Sequence, residues 1–140
     1  MAGATLAEIR AGIETRLATI PGVQTDAYMN PAPSDLSLQV MGPDAVSYDQ
    51  AGSRGLDYWT IIVQGFSGSP ESRAAQTNLD LWLSPAGANS VKAAIEGDRS
   101  LGGIVADCVV TGSSGYREMF VNGAKVLGAE WTLLILNSGT

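Results

Sequence analysis

Tyr116-Arg117-Glu118-Met119-Phe120-Val121 and Ala124-Lys125-Val126-Leu127-Gly128-Ala129-Glu130-Trp131 stand either side of Asn122-Gly123. Asn-Gly is the strongest short-range hairpin signal, because both residues tolerate the positive φ that a two-residue turn demands. The second run continues to Leu136, with Leu127, Ala129, Trp131, Leu133 and Ile135 at every second position. That period of two puts them on one face of a strand. Working backwards, Cys108–Thr111 reads as a further strand, and Gly112-Ser113-Ser114-Gly115 as a hairpin loop leading into Tyr116–Val121.

The chain before this sheet section alternates between periods. Leu6, Ile9, Ile13, Leu17 and Ile20 recur at steps of three and four, which predicts an amphipathic helix over 5–20. Thr5 and Glu8 have capping-box spacing, and Pro21-Gly22 is a stop. Val23–Met29 and the run Leu36, Leu38, Val40 predict two short strands. Residues 42–55 read as a long polar, turn-rich loop carrying Tyr48 and Arg54. Leu56–Phe66 is a strand with apolar residues on both faces, which places it centrally in a sheet. Ser69-Pro70-Glu71 predicts a helix start, with Ala75, Leu79, Trp82 and Leu83 inward and Ser84-Pro85 as its end. A brief helix over 90–96 closes at Gly97. Strands on both sides of helices predict an α+β domain spanning residues 1–140. Its small mixed or antiparallel sheet carries an N-terminal helix and a central helix pair on one face.

Composition narrows the function. The chain has 140 residues, 45% of them hydrophobic, enough for one core. Fourteen acidic residues face eight basic ones, a formal net charge of −6. The basic residues, Arg10, Arg16, Arg54, Arg73, Lys92, Arg99, Arg117 and Lys125, are scattered singly. A protein that grips nucleic acid clusters them against phosphates. Like charge instead keeps DNA from sticking to a surface it passes. The one cysteine, Cys108, has no partner for an internal disulfide. With no run resembling a signal or a membrane span, the expected compartment is the cytosol.

Reactive constellations are not expected. The chain has no histidine and one cysteine, so a zinc site is not expected and a histidine-activated nucleophile is excluded. The phosphate-binding and dinucleotide-binding glycine motifs are missing, and no cofactor or metal is predicted. Glu130 sits mid-strand among apolar residues. It either points to the solvent face beside Gly128 and Thr132 or serves as an acid–base carboxylate. Tyr48, Asp49, Arg54, Asp57, Arg117 and Glu118 are the candidate interface residues, since charges at strand ends beside a long loop suit the polar rim of a subunit contact. Ordinary surface solvation is the other reading of each.

Several phrases in order carry a resemblance. Thr5-Leu6-Ala7-Glu8-Ile9-Arg10 opens a helix ending Ile20-Pro21-Gly22, and a proline-bearing segment follows at Asn30–Pro33. Tyr48-Asp49 leads to Arg54-Gly55-Leu56-Asp57 before a strand. Then come Ser84-Pro85, Ser90-Val91-Lys92-Ala93-Ala94-Ile95-Glu96, Leu101-Gly102-Gly103 and the closing Leu127-Gly128-Ala129-Glu130-Trp131 strand. Across Thr5 to Leu136 this order resembles the tail terminator proteins of long-tailed bacteriophages. Ser34-Asp35-Leu36-Ser37 departs from the resemblance, being more polar than the small apolar run expected there.

The resemblance implies a hexameric ring on the head-proximal end of the tail tube. That ring stops tube polymerisation, meets the head-completion connector and lets genomic DNA through its lumen without specific binding. It implies neither enzyme activity nor a cofactor. It also implies a place in the neck of the virion after synthesis in the host bacterial cytoplasm. The 42–55 loop would contact neighbouring subunits or the tube, so deleting 44–53 should abolish assembly and leave a folded monomer. Two rivals remain open: a stopper or head-completion protein, and a small ligand-binding domain or enzyme whose polar site forms only in three dimensions.

Overall fold

The computed structural model describes residues 4–29, 36–48, 56–121 and 123–138. Helix α1 (Leu6–Leu17) starts where the capping box predicts: the Thr5 hydroxyl accepts from the Glu8 amide, and the Glu8 carboxylate accepts from the Thr5 amide. Ile9, Ile13 and Leu17 form its buried stripe, and Ile20 continues it beyond the helix end. Strands β1 (Gln24–Asp26), β2 (Ser37–Ser47) and β3 (Leu56–Gly68) come next. Helices α2 (Arg73–Leu83) and α3 (Val91–Glu96) precede the long strands β4 (Asp107–Val121) and β5 (Ala124–Ser138).

The five strands make one mixed sheet in the order β1-β2-β3-β5-β4. Strands β1 and β2 run parallel, and the β2–β3, β3–β5 and β5–β4 pairs are antiparallel. The alternation read from β5 is realised, with Leu127, Ala129, Trp131, Leu133 and Ile135 all buried. Register puts Trp59, Ile61 and Val63 of β3 opposite Ile135, Leu133 and Trp131, and Val40 of β2 opposite Val63. These residues and the apolar stripes of all three helices form one core cluster. Trp82 of α2 meets Trp131 at a ring-centroid distance of 6.4 Å, a tilted aromatic contact. The fold is α+β, with the helices on one face of the sheet.

Several boundaries move, each for a local reason. The expected long loop begins later, because β2 continues through Gly42 and Pro43 to Ser47. Register shifts at Val40/Gly42 and Pro43/Ala45 are bulges that accommodate a proline lacking an amide, and Gly42 takes φ 115°. Residues 49–55 of that loop lie outside the described residues. Gly112-Ser113-Ser114-Gly115 is no hairpin loop but the interior of β4. Extra residues are absorbed by irregularities at Val110/Gly112 and Ser114/Arg117, with Gly115 at φ 70°. Helix α2 is capped by Ser72, whose hydroxyl accepts from the Ala75 amide, so the expected start at Ser69-Pro70 is a turn.

Strand β1 is shorter than Val23–Met29. Arg10 explains why: its Nη1 donates to the carbonyl of Ala27 at 2.8 Å and its guanidinium stacks on Tyr28, turning the chain out of the ladder. Gly97 caps α3 in right-handed geometry, and the left-handed run comes later, at Leu101, Gly102 and Gly103.

Candidate assembly surfaces

The six expected interface residues separate into two groups. Tyr48 is 66% exposed one residue beyond β2, while Asp49 and Arg54 lie outside the described residues. Asp57 is paired in register with Asn137 and is only 8% exposed, so it belongs to the body of the sheet rather than to a polar rim. Arg117 and Glu118 lie on exposed β4, with Arg117 opposite Gly128. Along β5, Gly128 and Asn137 are nine residues apart, about 30 Å at strand spacing. Arg117 and Glu118 therefore do not join Tyr48 and Asp57 in one surface. The 44–53 deletion also loses its logic, because Ala45, Val46 and Ser47 pair with Thr60, Trp59 and Tyr58. Removing them cuts into the sheet.

At its other end the sheet narrows to a two-stranded arm. Strand β3 makes its last pair with Leu127, but β4 and β5 continue through Met119–Val126, Phe120–Lys125 and Val121–Ala124. Phe120 is 72% exposed on this arm, and Tyr116 is also exposed on β4. Lys125 is two residues from core-facing Leu127, so Phe120 and Lys125 share the helix-side face. Glu118, opposite Leu127, shares it too and pairs with Lys125 Nζ at 3.6 Å. Strand β4 has a sheet neighbour on one side only, so its other edge is open among the described residues.

A groove of about 190 Å³ lies farther along the same strand. Leu83, Pro85, Val110 and Trp131 give it an apolar floor, while Lys92, Thr111, Gly112 and Ser113 border it. Hydrogen bonds through Glu96 tie the border together. Lys92 Nζ donates to Glu96 Oε1 at 2.6 Å, and the Val110 amide donates to Glu96 Oε2 at 2.9 Å. Burial alone would raise the Glu96 carboxyl, but these bonds and the Lys92 charge hold it below its ordinary value. Sequence reasoning found the β4–β5 hairpin but not its extension beyond β3, and it missed the groove. The signal for the arm was Phe120 on the same face as the charged Glu118 beside Asn122-Gly123, an aromatic with no facing apolar partner.

A second hollow, about 270 Å³, separates α1 from the 98–104 turn and contains Arg16 and Asp98. Both charges are used locally. Arg16 Nε donates to the Ala94 carbonyl at 2.9 Å. The Asp98 carboxylate accepts from the Ser100 hydroxyl and the Ser100 and Gly102 amides, which lowers its pKa. Cys108 is fully buried, and desolvation first, then the Asp107 and Glu96 charges, push its thiol up to about 12. A thiol so rarely ionised is a poor nucleophile. Glu130 is half-buried on the face away from the helices, with Arg117 at 3.9 Å. Among the described residues no three His, Cys, Asp or Glu side chains gather as a metal site, and no helix is long and apolar enough to cross a membrane.

Five further cations are similarly occupied. Arg10 donates to the Ala27 and Val40 carbonyls, Arg99 binds Asp107 through two hydrogen bonds, and Lys92, Arg117 and Lys125 each face a carboxylate. A phosphate backbone would have to displace these partners one at a time. Comparison with known protein families and with curated protein sequences finds no match.

Proposed function

We propose that the chain is a ring-forming structural protein of a bacteriophage tail, a terminator that caps the head-proximal end of the tube. The carrying observation is the pair of unlike surfaces on one chain: a projecting arm with an exposed aromatic, and a concave apolar groove. Unlike surfaces on identical copies join head to tail, and such a contact closes into a ring when its rotation allows. The ordered likeness from Thr5 to Leu136 supplies the phage context.

Charge fits the same role. A subunit of net charge −6, in which Arg10, Arg16, Lys92, Arg99, Arg117 and Lys125 face its own carboxylates or carbonyls, supports a lumen through which DNA slides. The partners on this reading are further copies of the chain, the tail tube protein and the head connector, and its place is the virion neck.

The test is the particle assembled without this protein. Tails of uncontrolled length, cured by supplying the wild-type chain, are expected. Tails of normal length on heads that leak DNA would assign it instead to the stopper position, and unaltered particles would remove it from the tail altogether.

A further inference from the structure

We infer that the arm of one copy docks in the groove of the next, with Phe120 seated between Leu83, Pro85, Val110 and Trp131. The inference rests on the ring-forming reading above and specifies its contact. Phe120 cannot fill the groove of its own chain. Ser113 on the groove border and Phe120 are seven residues apart on the same strand, about 20 Å. Any Phe120 that reaches such a groove comes from another molecule.

Charge sets the orientation. Glu118 and Lys125 flank Phe120 on its own face of the arm, and Lys92 and Glu96 are an ion pair at the groove. Seating the aromatic with Glu118 toward Lys92 and Lys125 toward Glu96 gives each charge an opposite neighbour; the reverse juxtaposes like charges. Electrostatic matching of this kind fixes register more than it adds affinity. The buried aromatic is the expected source of most of the binding free energy. Because the two surfaces are different, the contact repeats from copy to copy.

Cysteine cross-linking tests this directly, because the native Cys108 is buried. The doubly substituted chain F120C/S113C is oxidised with copper–phenanthroline, at high concentration and on purified tail tubes. The expected result is a ladder of linked chains that stops at the ring number, while each single substitution alone gives none. A separate Phe120→Ser chain should keep the wild-type melting curve, since the ring is exposed, yet fail to assemble. Rings without a ladder would overturn the docking and leave the ring reading intact. A product ending at two chains would show a symmetric contact, and Ser113→Cys linked to the tube protein would show a different occupant; either overturns the inference. A chain solitary in solution and on tubes would overturn both readings.

Discussion

Two buried serines show how differently the same hydroxyl acts in this molecule. Ser90 caps α3, accepting from the Ala93 amide while donating to the Ser84 carbonyl. Ser37 is fully buried on β2, and its hydroxyl has no hydrogen-bond partner among the described residues. Replacing a cap costs about 1 kcal/mol, and Ser90→Ala should do so. Removing a desolvated, unpartnered hydroxyl carries no such loss, so Ser37→Ala should be neutral or stabilising by up to about 1 kcal/mol. Urea unfolding of both variants checks the contrast, and equal destabilisation would contradict it. The Ser90 cap is legible from sequence because its partner is local. Ser37 looks like any strand serine, because its isolation depends on what lies opposite.

Glycines make the corresponding argument for elements. A Cβ at Gly65 would stand 2.8 Å from Trp131 and 2.9 Å from Leu38, both in the core, while one at Gly112 meets nothing within 4 Å. Overpacking a filled core costs about 1–3 kcal/mol, which is the expected loss for Gly65→Ala. Gly112→Ala should hold stability or add about 0.4–1 kcal/mol, because only unfolded-chain entropy changes. Thermal melts of the two chains decide this, and a loss at Gly112 would show that β4 needs a glycine there. Glu96, which ties α3 to the Val110 amide of β4, carries an acid-dependent contribution. Its pKa is lowered on folding, so the contribution is present above the ordinary 4.5 and is lost as pH falls through the folded value. Glu96→Gln should flatten the fall in stability as pH drops below the ordinary 4.5, and an unchanged acid limb in denaturant titrations would contradict the assignment. Elements with a single dominant period, α1 and β5, were readable in advance. The bulged strands were not, since Gly42-Pro43 and Gly112–Gly115 look like turns until a long partner strand holds them extended.

For the whole molecule, the sequence order supports an α+β sheet with helices on one face, and the structure has it. The assembly surfaces were less legible. The sequence predicts interface charges near the expected loop, but Asp57 is buried and Arg117 and Glu118 lie at the far end of the sheet. The groove draws on Leu83, Pro85, Val110 and Trp131, residues from three parts of the chain that only the folded sheet brings together. Phe120 was visible as a residue, but its exposure depends on the arm outrunning β3. Electron microscopy of the purified protein mixed with tail tubes tests the central claim most directly. The account predicts closed rings of this chain on one end of each tube, with no further tube growth there. Tubes that keep growing at both ends, with the chain dispersed as single copies, would contradict it.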